Sequence, residues 1–453
     1  MLFKKSLKWI ILAVVTCLAV TFLGCNQGKI NTGDLDPGYQ LDPETVTGRI
    51  KVTTYLRSGD QSEIALDKWI QTYNKYYPNV TVKTDIIAWS AFATQVASGD
   101  IGDVYYTAEV DVYNYAVKNK AAMYLDSYID LLNIDTSQIY TGLYDLGCYN
   151  GLLYMVPSDL SQNVFFTNVS ALQEAGLSRP ENDWKWDDFR DYCKRLRRTN
   201  EDGTYSQVGA FFSTEVCMLY HFFVGWGGKW VDKVNKKVNF FSDEKVLRGF
   251  DELINMVNEG DAGIAGLTGA MGAKYAGVDS TSGYVFKLST YINRIAAYEA
   301  FKKLGIKFDV SAMPEMPAHF ITGGATGYLV YSKTRNPDAA ATFALTLLSD
   351  EGQIAFNQIV GGGIPCTKKA IADGAWRVPY PEKEFNYDAF VCYPEAFTAS
   401  WSECFVPPEI ASQINKVIPG LVDAHFSNKK DYKDSLSDLE QTCNEIWATL
   451  FDE

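Results

Sequence analysis

The run Tyr73-Asn74-Lys75-Tyr76-Tyr77-Pro78-Asn79-Val80, followed by Ala97-Ser98-Gly99-Asp100-Ile101-Gly102-Asp103-Val104, decides the fold. Upstream, Ile50 to Tyr55 is short and rich in β-branched residues, which suits a strand. Ile64, Leu66, Trp69, Ile70, Tyr73 and Tyr77 then recur at helical spacing. Pro78 has no N–H to donate, so it stops that helix before Val80 to Ile87 resumes as a strand. A second helix is predicted over Ser90 to Ser98, ended by Gly99, with a third strand from Asp103 to Tyr106. Strands that alternate with helices pair in parallel through right-handed crossovers. The strand ends carrying Arg57-Ser58, Trp89-Ser90 and Thr107 to Asp111 are therefore predicted to share one edge. Open α/β sheets take their ligands at that edge.

A chain of 453 residues fits two or three domains, and 47% hydrophobic with 14% aromatic residues is enough for sizeable cores. Lys4, Lys5 and Lys8 precede the apolar run Trp9 to Leu23, which is shorter than the roughly 20 residues of a membrane span and matches a secretory leader. Residues 1–24 are read as that leader. Removing its three lysines takes the formal charge from −14 to −17, which argues against nucleic acid or an anionic lipid surface as partner. Asn26 to Gly48, rich in Gly, Asn, Asp, Pro and Thr, reads as an extended tether. Beyond Cys17 and Cys25 seven cysteines remain, an odd number without a C-x-x-C, so they cannot all pair within the chain. Cys392 and Cys404 are the nearest pair in sequence; buried thiols are the other reading.

No catalytic motif emerges. The sequence has no H-E-x-x-H and no G-x-S-x-G, and Gly228-Lys229 is followed by Trp230, which breaks a P-loop pattern. His221, His319 and His425 lack metal-ligand spacing, and Asn200-Glu201-Asp202-Gly203 reads as a turn, so neither metal nor cofactor is expected. The many acids leave paired carboxylates for glycoside hydrolysis open, although no motif singles out two of them.

The opening unit resembles the start of the extracellular solute-binding proteins of bacterial ABC transporters, family 1, the group that includes maltose- and oligosaccharide-binding proteins. Leu23-Gly24-Cys25 likewise resembles a lipobox, which implies acylation of Cys25. Further matches are Met123 to Tyr128, the Tyr149-Asn150-Gly151-Leu152 hairpin, Val164 to Asn168 with Thr167 where Tyr is usual, and Phe308 to Pro314. Gly323 to Lys333, Asn336-Pro337-Asp338 and Gly363-Ile364-Pro365 continue the match. It is weakest from Asp261 to Asn293, read as a loop as far as Gly283, and from Asp373 to Ser402. Between them, Ser242 is the expected N-cap of a helix from Glu244 to Glu259, closed by Gly260.

The resemblance implies an α/β, two-lobed periplasmic-binding-protein fold of type II, each lobe a mostly parallel sheet flanked by helices. It places an N-lobe at 49–160 plus 327–365 and a C-lobe at 161–326 plus 366–453, after a tether at 25–48. Hinge crossings fall near Ser158 to Asn163, Ala325 to Leu329, and Ile364 to Thr367. It further implies a monomeric, exported, membrane-anchored binder of a carbohydrate that works with permease subunits, touches membrane only through its lipid and is not an enzyme. A lipid-anchored glycosidase and a sensor or adhesin on the same fold are the alternatives. Glu109 and Asp111 fall near acids that bind sugar hydroxyls in the family, with Trp89 at the adjacent strand end. Trp226 and Trp401 are candidate aromatic walls, and Asp159, Ser161, Gln162 and Gly324 lie at the proposed crossings. Each tryptophan could equally be core packing, and each of the two acids part of a solvated face.

Overall fold

The computed structural model describes residues 30–54, 62–279, 281–288, 302–359, 363–378 and 385–450. The leader, Cys25, Arg57-Ser58, and Gly361-Gly362 lie outside them. The opening unit forms as the sequence predicts: β1 (Gly48–Thr54), α1 (Ser62–Asn74), β2 (Val80–Ile86), α2 (Phe92–Ser98) and β3 (Val104–Ala108). Both β2 and β3 pair in parallel with β1. Trp69 and Tyr73 are buried on the inner face of α1, with Trp69 stacked on Phe343 at 4.0 Å between ring centroids. Gly99 ends α2 at φ 77°, a left-handed backbone that a Cβ would disfavour.

The architecture turns on a long strand, β4 (Met155–Asn168), whose first half pairs antiparallel with β9 (Ile321–Tyr331). Its second half pairs with β7 (Tyr284–Leu288) and β8 (Phe308–Ser311). Beyond β7 lie β5 (Ala210–Phe212) and β6 (Ala262–Ile264), added in parallel. β3 borders β9 on the other side, so a single sheet runs through both halves of the molecule. Pairing is parallel in the outer strands and antiparallel where the long strands enter.

Two hydrophobic cores flank this ladder. The first gathers α1, β1–β3, α6 (Pro337–Leu345) and the segment from Phe385 to Phe397. The second gathers α3 (Trp186–Leu196), α4 (Val216–Val224), α5 (Glu244–Glu259) and the C-terminal helices α7 (Pro408–Phe426) and α8 (Tyr432–Thr449). In β4, Val164 and Phe166 face the first core and Phe165 the second, as alternation along a strand requires.

Several expectations change. Cys366, Trp376, Phe385 and Phe390 pack in the first core, and Phe385 also meets Phe308 of β8 at 5.5 Å between ring centroids while the Asn386 N–H donates to Asp309 at 3.1 Å. Part of the expected tether instead lies along the first body: the Asn31 N–H donates to Ser332 O at 2.6 Å, the Tyr124 N–H to Thr32 O at 3.0 Å, and Val46 is buried. The expected loop from Asp261 contains β6 and a short helix, Gly269–Lys274, because β6 completes the β5 edge and the Tyr275 hydroxyl bonds Ala262 O at 3.0 Å. Asp243, not Ser242, caps α5, its carboxylate accepting the N–H groups of Lys245 and Val246 at 2.9 and 3.1 Å. Thr167, the departure from the usual Tyr, is buried and donates to Ser311 Oγ at 2.9 Å, tying β4 to β8. The seven described cysteines are free thiols, and Cys392 and Cys404 form no disulfide.

Candidate functional site

At the end of β3 the chain turns tightly through Glu109–Asp111, and this turn meets another, Ser402–Cys404, from the second body. Glu109 is only 7% exposed. Its carboxyl lies against Gly324 of β9, in space that a Cβ at that position would fill. Burial pushes its pKa up to about 8; backbone N–H groups at Glu109 and Ala325 oppose the rise, and the charges of Asp159 and Asp111 add to it. Oε1 has no hydrogen-bond partner. Asp111 is also raised, first by burial and then by Glu403, while a hydrogen bond from Asn114 opposes the rise. Asp159, on β4, accepts the Thr326 hydroxyl at 2.8 Å, which ties the two long strands beside Glu109.

A cavity of about 540 Å³ opens between the bodies at this point, within the range of small-molecule sites. Glu109, Tyr113, Asn114 and Tyr149 line it from the first body; Glu403 and Phe405 face them from the second. Tyr113 and Tyr149 lie 5.5 Å apart between ring centroids and present aromatic surface beside the acids. Lys233 is on the same lining, its ammonium 5.4 Å from the Phe405 ring centroid. Glu403 is oriented by Asn415 Nδ2, which donates to it at 2.7 Å, and by the Ser402 hydroxyl at 3.2 Å.

The structure brings Glu109, Asp111, Asp159 and Gly324 together. Ser161 and Gln162 are buried in the β4–β9 ladder opposite Gly324 and Gly323 and do not line the cavity. Trp89 is 45% exposed at the predicted edge, packed on Phe92 and Tyr106. Trp401 packs against the second core just before the Ser402–Cys404 turn. Trp226 stands apart: it follows α4, meets Trp186 edge-on at 5.6 Å, and lines a separate groove with Arg190, Arg248 and Glu252. Sequence reasoning missed Glu403, Asn114, Tyr113 and Phe405. Glu403 borders the stretch where the family resemblance is weakest, and no motif marks it.

Known proteins share this fold. Solved structures with the same two-lobed periplasmic-binding-protein fold include an ABC substrate-binding protein from Listeria monocytogenes in complex with cycloalternan, at 18% identity and TM-score 0.66, over 89% of this chain and 99% of that one. A cyclic α-maltosyl-1,6-maltose binding protein from Arthrobacter globiformis matches at 16% identity and TM-score 0.69, over 88% and 99%. The sugar-binding protein MalE from Xanthomonas citri matches at 14% identity and TM-score 0.68, over 89% and 98%. The profile of the bacterial extracellular solute-binding proteins matches residues 59–354, and the chain belongs to that family.

Proposed function

We propose that this protein captures a carbohydrate in the cavity between its two bodies and delivers it to the permease of an ABC importer, held at the outer face of the membrane by a lipid on Cys25. The observation that carries the reading is the cavity's composition: the buried Glu109 carboxyl and the Asn114 amide on one wall, a carboxylate on the other, and aromatic faces between them. Carboxylates and amides take the hydroxyl hydrogen bonds of a sugar, and aromatic rings cover its apolar face. Glu109, protonated at neutral pH while the cavity is empty, can both donate to and accept from a hydroxyl. The structural relatives named above, one in complex with cycloalternan, one a cyclic α-maltosyl-1,6-maltose binding protein and one a sugar-binding protein, support the same ligand class.

The ligand bridges both bodies, so it binds the closed arrangement better than the open one and shifts the population toward it. A thermal-shift screen of oligosaccharides tests the reading. A cognate sugar at about a hundred times Kd adds roughly 2.7 kcal/mol of stability. Small-angle scattering at saturation should show a smaller radius of gyration. A panel without any stabilising sugar, or the appearance of new reducing ends from a bound glycan, would overturn the reading of a pure carbohydrate binder.

A further inference from the structure

We propose that the cavity selects a carbohydrate carrying a protonated amine, with the ammonium seated between Glu109 of the first body and Glu403 of the second. This rests on the carbohydrate reading above and narrows its ligand class. Glu109 is more than nine-tenths buried, lines the cavity, and holds an oxygen without a hydrogen-bond partner. Glu403 lines the opposite wall, fixed in place by Asn415 and Ser402. The turns that carry them, Glu109–Asp111 and Ser402–Cys404, pack against each other, and Lys233 lines the same cavity with its ammonium turned to the Phe405 ring, 5.4 Å from its centroid. Among the described residues none of Glu109, Asp111 and Glu403 forms an ion pair.

With the cavity empty Glu109 keeps its proton at neutral pH, and a neutral sugar leaves it so. An ammonium placed between the two walls favours the charged carboxylate, so Glu109 releases its proton to solvent and both walls accept charge-assisted hydrogen bonds from the amine, an attraction that the uncharged analogue lacks as the cleft shuts. The rings of Tyr113, Tyr149 and Phe405 add surfaces that attract a cation as well as a pyranose face.

The test is isothermal titration at neutral pH with glucosamine oligomers, their N-acetylated counterparts of equal length, maltooligosaccharides and spermidine. The amine-bearing sugar is expected to bind at least about tenfold more tightly than its acetylated twin. Glu403→Gln is expected to pull that ratio toward one, and Asp111→Asn to reduce it, with melting curves confirming that both variants fold. If acetylated or neutral sugars bind as well as the amine form, the amine seat is refuted and the carbohydrate reading stands. If spermidine binds and no sugar does, the seat stands and the carbohydrate reading falls. If none of the probes binds, both fall.

Discussion

Replacing Glu109 by Gln should remove a pH dependence of stability that the buried carboxyl imposes on the folded chain. Burial is the largest cause lifting its pKa from an ordinary 4.5 to about 8. Between those values the folded chain keeps a proton that the unfolded chain has released, so stability falls as pH rises through that window. Below 4.5 both states are protonated and the penalty vanishes. At about 1.4 kcal/mol per pH unit, the distance from 4.5 to about 8 corresponds to roughly 5 kcal/mol lost across the window. Gln has nearly the same shape and cannot ionise. Urea denaturation of wild type and Glu109→Gln at about pH 5 and about pH 8.5 should show the stability difference moving against wild type by roughly 4 kcal/mol. A difference that stays within about 1 kcal/mol between the two conditions would mean that the carboxyl is as well solvated folded as unfolded, and the burial argument would fail.

Three further outcomes follow from the same contacts. Gly324→Ala drives a Cβ onto the Glu109 carboxyl, so it should cost about 1–3 kcal/mol in denaturation and weaken ligand binding in titration. Trp226→Ala, cutting a half-buried ring from Trp186, should cost about 1–2 kcal/mol, below the roughly 3–5 of a fully buried aromatic, and leave carbohydrate affinity unchanged; a large drop in affinity would return Trp226 to the cleft. Cys25→Ala should move the protein from the membrane fraction to the medium, and mass spectrometry of the wild type should find an acylated Cys25.

Local chemistry made much of the fold legible. Pro78, Gly99, Pro337 and the Asn150-Gly151 turn each act through their own backbone constraints, and all four sit where the sequence places them. Glu109 and Gly324 were also reachable, because a strand end and a glycine-rich crossing both carry signals. Glu403 was not: it meets Glu109 only through tertiary packing of two turns far apart in the chain. β6 escaped for a related reason, since three residues with Gly263 at their centre become a strand only when β5 offers an edge. Trp226 reads from the sequence as an aromatic wall or as core packing alike, because its edge-on contact with Trp186 is invisible in one dimension.

The bond from Asn31 to Ser332 shortens the leash. With Cys25 acylated as proposed, the six residue-to-residue steps from Cys25 to Asn31 reach at most roughly 20 Å even when fully extended. The first body then hangs within about its own thickness of the lipid surface and samples a thin shell of space. Confinement of this kind raises the local concentration seen by a membrane-embedded partner and limits the orientations from which docking can start, so lengthening the chain ahead of Asn31 should slow uptake without altering ligand affinity.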